Sequence, residues 1–241
     1  MEQTQKPRRH AGRYTLIALA ALLVFLAVAF FSYVNDYRHA DETALSLLQT
    51  SSSIRQQENL TILTPDAGND TGRGLIFYPG GKVEETAYLP LLELLRAQGI
   101  TVALVKMPFR LAVFDSNAAD KVPDAVPSVS RWYIGGHSLG GAMASSFVAG
   151  NEDRFDGLIL LGAYPVNDSP IATLCIYGSE DVMLDKTKLD GVRNVLELVG
   201  GNHAQFGNYG TQEGDGIATI SREEQQTKAA EAMVAFLTTA D

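Results

Sequence analysis

Residues 131–141 read Arg-Trp-Tyr-Ile-Gly-Gly-His-Ser-Leu-Gly-Gly, and this stretch decides the fold. Within it, residues 136–140 fit the pattern Gly-x-Ser-x-Gly, with Ser138 at the centre. An apolar run precedes the pattern and a helix-forming run follows it, so the pattern predicts a sharp strand-to-helix turn that projects the serine hydroxyl. The flanking glycines let the strand and the helix approach each other without a side-chain clash. Ser138 is therefore the candidate nucleophile.

A serine hydroxyl needs a general base, which near neutral pH is usually a histidine. The chain has four histidines. His10 precedes the apolar N-terminal segment and His39 follows it, while His137 is adjacent to Ser138 in the turn and is expected to point elsewhere. His203 remains, in a loop between the last apolar run and a C-terminal helical stretch. By elimination, His203 is the predicted base.

The base in turn needs a carboxylate, which fixes its tautomer and stabilises the imidazolium. Asp181 follows the apolar run 172–177, and Gly178 opens the turn between them. Glu180, one residue away, is the alternative. Asp181 is preferred because Gly-x-x-Asp after such a strand is the usual arrangement of the acid.

A tetrahedral intermediate needs at least two preorganised hydrogen-bond donors. The N–H of Leu139, at the start of the predicted helix, is the first candidate donor, because the free amides and dipole of a helix N-terminus favour negative charge. The second is expected in the loop after the run 74–78, where residues 79–82 read Pro-Gly-Gly-Lys. Gly81 is the predicted donor there, with Lys82 as the alternative.

From residue 59 onward, short apolar runs alternate with helical stretches. The apolar runs lie at 60–63, 74–78, 100–105, 131–134, 158–161, 172–177 and 195–199. The amphipathic stretches include 84–98, 139–149 and 221–237. This alternation predicts an α/β fold with a mostly parallel central sheet and helices on both faces. Such a sheet carries its site at the carboxyl ends of its strands.

With these residues in the order serine, acid, histidine, residues 59–240 resemble the α/β-hydrolase superfamily, particularly its small, lid-poor members similar to dienelactone hydrolases. The resemblance implies hydrolysis through an acyl-enzyme. About ten residues, 162–171, separate two strands between which many relatives insert a lid. Two departures stand out: Pro79 replaces a histidine often found in the oxyanion loop, and Ser138 stands where dienelactone hydrolases often have cysteine.

The predicted reaction is hydrolysis of a small-molecule ester or related acyl substrate, without a metal or organic cofactor. Two alternatives remain open on the same residues. One is an acyltransferase or a peptidase, and the other is a non-catalytic binding module that has kept the α/β-hydrolase fold.

Residues 15–34 are twenty positions without a charge. As a helix they would extend about 30 Å, which matches a bilayer core. Basic residues precede them and acidic residues follow, so the rest of the chain is predicted to lie outside the cytoplasm. The predicted organisation is a basic cytoplasmic tail (1–14), a transmembrane anchor in the cell membrane (15–34), a stalk (35–58) and a catalytic domain (59–241). The alternative is a signal peptide cleaved near residues 27–29, which gives a secreted protein.

The formal net charge is −9, and without residues 1–13 it becomes −12, from 15 basic and 27 acidic residues. This balance excludes an electrostatic basis for nucleic-acid binding. Cys175 is the only cysteine, so the chain forms no internal disulfide. The sequence does not indicate an oligomeric state.

Overall fold

The computed structural model describes residues 9–239, with side chains from residue 12 onward. The chain divides into two compact units, one ending at Asp36 and the other beginning at Tyr37. The first unit contains helix α1 (Arg9–Asn35). Its part Gly12–Asn35 is long and apolar enough to cross a membrane, and a signal sequence has the same features. Residues 1–8 of the predicted basic tail lie outside the described residues.

The second unit is built on one eight-stranded sheet. Its strands are β1 (Ile54–Gln57), β2 (Leu60–Leu63), β3 (Arg73–Tyr78), β4 (Thr101–Val105), β5 (Arg131–His137), β6 (Gly157–Leu161), β7 (Thr173–Gly178) and β8 (Asn194–Leu198). Its helices are α2 (Glu42–Thr50), α3 (Leu89–Ala97), α4 (Val122–Ala125), α5 (Leu139–Val148) and α6 (Arg222–Thr239).

The strands lie in the order β1-β2-β4-β3-β5-β6-β7-β8. The six strands β4-β3-β5-β6-β7-β8 are parallel to one another. β1 pairs with β2, and β2 with β4, in antiparallel fashion. This confirms the predicted mostly parallel sheet, and each of the seven apolar runs contributes to a strand. β1 is the strand that the sequence did not predict, because Ile54–Gln57 is polar and largely exposed.

Helices cover both faces of the sheet, as predicted. Side chains that alternate along β3 point to opposite faces, so Leu75 and Phe77 pack in one core with α2, α3 and α6. Ile76 and Tyr78 pack in the second core, with α4 and α5. Since both faces are buried, the parallel strands read as continuous apolar runs.

The structure corrects the predicted stalk at residues 35–58 and the predicted domain start at residue 59. The compact unit already begins at Tyr37, because α2 packs against the core with Ala44 fully buried. Asp41 caps this helix by accepting a hydrogen bond from the amide of Ala44 at 3.0 Å. Only one face of this short helix is apolar, and the polar residues around it made the stretch resemble a solvated linker.

Candidate active site

Ser138 occupies the turn between β5 and α5. Its backbone has φ 52° and ψ −123°, a conformation that costs a residue with a side chain about 1–3 kcal/mol. The amide of Ser138 donates to the carbonyl of Leu161 at 2.9 Å, which fixes the turn to β6. A side chain at Gly140 would lie 2.3 Å from the carbonyl oxygens of Tyr78 and Pro79. Glycine at this position therefore lets the first turn of α5 pack directly against the end of β3.

Asp181 and His203 form a buried hydrogen-bonded pair. Asp181 follows β7 and His203 follows β8, so both lie at the same edge of the sheet as Ser138. The distance from Asp181 Oδ2 to His203 Nδ1 is 2.8 Å, and both side chains are almost completely buried. The other carboxylate oxygen, Oδ1, accepts hydrogen bonds from the amides of Met183 at 2.9 Å and Leu184 at 3.0 Å. With both oxygens engaged, the carboxylate has a fixed orientation toward the imidazole.

The alternative acid, Glu180, does not contact His203 through a hydrogen bond within residues 9–239. Its carboxylate instead accepts a hydrogen bond from the hydroxyl of Ser179 at 2.9 Å. The structure therefore places Asp181, rather than Glu180, beside the imidazole.

Asp215 and Gln225 fix the loop that carries His203. The Asp215 carboxylate accepts hydrogen bonds from the amides of His203 at 3.2 Å and Ala204 at 2.8 Å. Gln225, which is fully buried on α6, accepts from the amide of Asn202 at 3.0 Å and donates to its carbonyl at 2.8 Å. These contacts hold the backbone on both sides of the imidazole.

Gly162 leaves the space in which the buried pair lies. Its φ is +51°, and a side chain there would lie 2.8 Å from His203 Nδ1 and 3.2 Å from Asp181 Oδ2. Both the left-handed backbone and the close approach require glycine. Gly162 is the first residue after β6, and its backbone packs directly against the Asp181–His203 pair.

Gly81 lies beside the serine turn. A side chain at Gly81 would lie 2.8 Å from Cδ2 of Leu139, so the two residues are in contact distance across the loops. Leu139 is the first residue of α5, where a helix leaves amide N–H groups without intrahelical acceptors. The Gly81 amide likewise donates no hydrogen bond to another group within residues 9–239. The alternative donor, Lys82, uses its amide to bind the carbonyl of Arg110 at 2.9 Å.

His137 points away from the Ser138 hydroxyl, toward Tyr88 behind the turn. The distance from its Nδ1 to the Tyr88 hydroxyl is 2.8 Å, and that hydroxyl also accepts from the amide of Gly80 at 3.0 Å. The rings of His137 and His203 lie 4.5 Å apart. Burial holds the pKa of His137 well below its usual value of 6.5, and the neighbouring His203 lowers it further.

The structure brings together all five residues that the sequence singled out, at one edge of the sheet. The Ser138 hydroxyl itself makes no hydrogen bond to His203 within residues 9–239. Residues 162–172 connect β6 to β7 directly, so no lid is inserted between these two strands.

Four residues that support the site were missed from the sequence: Tyr88, Asp215, Gln225 and the glycine at 162. Tyr88 and Gln225 lie on a 3₁₀ turn and a helix that read as ordinary amphipathic stretches. Their contacts with the site join parts of the chain that are far apart in sequence, so no local sequence pattern indicates them.

The lone cysteine, Cys175, is buried in β7, and burial raises the pKa of its thiol to about 12.

A cleft of about 1040 Å³ lies elsewhere, lined by parts of 165–173 and 188–194. It contains none of Ser138, Asp181 and His203. The three candidate residues therefore lie outside this cleft.

Residues 74–227 match the model of the alpha/beta hydrolase family. No curated protein matches the sequence of the chain. A serine hydrolase without a lid from Xanthomonas campestris is 13% identical and superposes with a TM-score of 0.56, covering 78% of this chain and 97% of its own. An alpha-beta serine hydrolase homologue from Coxiella burnetii is 12% identical, with a TM-score of 0.55 and coverage of 78% and 99%. The esterase domain of a Rhodothermus marinus protein is 14% identical, with a TM-score of 0.55 and coverage of 76% and 96%. At these identities the likeness shows a shared fold.

Proposed function

Because this chain belongs to the alpha/beta hydrolase family, we propose that it is a serine hydrolase that cleaves an ester or related acyl substrate through an acyl-enzyme. Ser138 is the nucleophile, His203 the general base and acid, and Asp181 the orienting carboxylate. The observation that carries the proposal is the buried 2.8 Å contact between Asp181 Oδ2 and His203 Nδ1, beside a serine in a strained strand-to-helix turn.

The contact determines which imidazole nitrogen takes part in proton transfer. An ionised carboxylate only accepts hydrogen bonds, so Asp181 Oδ2 fixes a proton on Nδ1 of His203. The other nitrogen, Nε2, is then free to accept the proton of the Ser138 hydroxyl as Oγ attacks the acyl carbon. Asp181 also stabilises the imidazolium that forms. This arrangement is the one that general-base activation of a serine requires.

In the first half-reaction, Ser138 Oγ bonds to the acyl carbon and the carbonyl oxygen becomes an oxyanion. The amides of Leu139 and Gly81 are proposed to donate to that oxyanion. Neither N–H group donates a hydrogen bond to another protein group within residues 9–239, so both are available to it. As the intermediate collapses, His203 gives its proton to the leaving alcohol. Water then repeats the sequence at the acyl-enzyme, which releases the carboxylic acid and restores Ser138.

The test uses the full chain in detergent with a fluorophosphonate probe, which reacts covalently with activated serines. The parent should be labelled, and Ser138→Ala and His203→Ala should not. Ser146→Ala, on the exposed side of the same helix, is the matched control and should label like the parent. A folded parent that stays unlabelled would contradict the proposal and leave a binding module with this fold. Labelling followed by an ester, amide and acyl-acceptor panel separates an esterase from a peptidase or an acyltransferase.

We also propose that α1 anchors the catalytic unit at the cell membrane on its extracytoplasmic side. The basic residues before the apolar part of α1 and the acidic residues after the helix support this orientation. After alkaline carbonate extraction, an anchored chain remains with the membranes at full length. Recovery of a shortened, soluble chain would support the signal-peptide alternative instead.

A further inference from the structure

Residues 37–41, hereafter segment 37–41, open the compact unit and run beside the loop that contains Gly81. Arg38 pairs with Val83 as an isolated parallel β-bridge. The amide of Arg38 donates to the carbonyl of Lys82 at 2.8 Å, and the carbonyl of Arg38 accepts from the amide of Glu84 at 2.9 Å. The loop after β3 thus gains a short added strand from the start of the unit.

These contacts hold Lys82 in an unusual conformation. Its φ is 57°, in the left-handed region that residues with a side chain rarely adopt. The Lys82 amide donates to Arg110, and its carbonyl accepts from Arg38, so both backbone groups are fixed. Arg110 also has a positive φ, and its guanidinium lies 3.3 Å from the ring centre of Tyr37. Segment 37–41 therefore contacts two residues with positive φ, Lys82 and Arg110, of which Lys82 directly follows Gly81.

The other end of segment 37–41 contacts the loop that carries His203. The amide of Asp41 donates to the carbonyl of Asn208 at 2.8 Å. The Asp41 carboxylate accepts from Asn208 Nδ2 at 3.1 Å and from Arg222 on α6 at 2.9 Å. Asn208 lies five residues after His203 and in turn donates its amide to Ala87 at 2.7 Å. One segment of five residues thereby joins the Gly81 loop to the His203 loop.

We propose that segment 37–41 is a positioning element of the active site, which sets the orientation of the Gly81 amide relative to Ser138. This inference rests on the proposed function, because it assigns a role to a donor of the proposed oxyanion hole. Lys82 directly follows Gly81, so the contacts that fix the Lys82 backbone also restrain the dihedral angles of Gly81 and with them the direction of the Gly81 N–H. Donor placement within about 0.5 Å governs the stabilisation of a transition state, and a misplacement near 1 Å costs about 100-fold in rate.

The experiment measures fluorophosphonate labelling of the full chain and separates the maximal labelling rate from the probe concentration at half-maximal rate. Arg38→Pro removes the N–H that binds Lys82. Its maximal rate should fall by about tenfold or more, with the half-maximal concentration unchanged. Arg38→Ala keeps that N–H and should lose much less. Equal losses in both variants would overturn the inference, because the side chain rather than the backbone pairing would then matter.

A second pair of variants keeps the inference testable where Arg38→Pro fails to fold. Glu84→Ala removes the carboxylate that accepts from the amide of Ala40 at 3.0 Å. Glu152→Ala removes an equivalent contact far from the site, since Glu152 accepts from the amide of Gly150 at 2.9 Å. Glu84→Ala should lower the maximal rate and Glu152→Ala should not, at matched thermal unfolding midpoints. A labelled parent with unchanged rates in folded Arg38→Pro and Glu84→Ala overturns the role of segment 37–41, whereas an unlabelled parent overturns the hydrolase proposal itself.

Discussion

The hydroxyl of Tyr88 lies 2.8 Å from Nδ1 of His137, and this contact joins the loop after β3 to the serine turn. The same hydroxyl accepts from the amide of Gly80, so it links the Gly80 amide to Nδ1 of His137. The pair is fully buried, which makes it a fixed spacer between Gly80 and Ser138.

Replacing Tyr88 by phenylalanine should weaken both the fold and the chemistry. The variant leaves the Gly80 amide and His137 Nδ1 buried without a partner, at a cost of about 1–3 kcal/mol for each unsatisfied group. Urea unfolding measures this loss, and fluorophosphonate labelling should slow because the loop next to Gly81 is released. Tyr177→Phe is the control, since its exposed hydroxyl binds Glu197 at the protein surface and should cost less than about 1 kcal/mol. Equal losses of unfolding free energy in the two variants would argue against a spacer role for the Tyr88–His137 pair.

Stability should fall as the pH decreases below about 6.5, in part because of His137. Burial lowers the pKa of His137 in the folded chain, whereas in the unfolded chain it binds a proton near pH 6.5. The unfolded state then binds more protons, so acid favours unfolding by up to about 1.4 kcal/mol per pH unit for this one group. Urea midpoints of the parent and of His137→Gln, measured from pH 7.5 to pH 5, test this. The urea midpoint of His137→Gln should depend less steeply on pH than that of the parent. Parallel curves would refute the contribution of His137.

Gly162→Ala should separate His203 from Asp181. The added methyl group would lie 2.8 Å from His203 Nδ1, and the left-handed backbone adds about 1–2 kcal/mol of strain. Gly150→Ala is matched for the backbone effect, because Gly150 has φ +93° and nothing within 4 Å of the added carbon. Both variants should lose stability, but only Gly162→Ala should lose labelling. Full labelling of Gly162→Ala would mean that the buried pair tolerates displacement.

Asp181→Asn and Glu180→Gln distinguish the two acids that the sequence left open. An amide at 181 can present its NH₂ to Nδ1 and favour the wrong tautomer of His203, so turnover should fall by about 10⁴-fold. Glu180→Gln should change it less than threefold, since Glu180 contacts Ser179 instead. Turnover on an activated ester measures both. The reverse ranking would move the orienting role to Glu180.

Much of the sheet could be predicted because its parallel strands are buried on both faces. A strand such as β6 contains only apolar residues between two turns, and that pattern is local. β1 and α2 could not be predicted in this way, because Ile54–Gln57 is polar and α2 buries a single narrow face around Ala44. Their places are set by contacts with distant parts of the chain, which leave no periodic pattern in the sequence.

The candidate site divides in the same way. Ser138 lies in a turn whose backbone requires a fixed spacing of glycines, so the sequence itself indicates it. His203 was indicated because the other histidines were unsuitable, and its partner Asp181 by the turn after β7. The contacts of Tyr88, Asp215 and Gln225 depend on how loops meet across the sheet edge. Segment 37–41 was predicted as part of a stalk for this reason, although its backbone lies against the Gly81 loop.

The positive φ of Ser138 has a consequence for engineering this protein. Glycine adopts that conformation with little strain, so glycine at 138 would relieve strain that serine and alanine both retain. A stabilisation campaign that ranks substitutions by folding free energy alone would favour replacing the very side chain proposed to do the chemistry. Under the proposed mechanism, thermal stability and catalysis therefore compete at residue 138. Any search for more stable variants of this chain has to keep serine at residue 138.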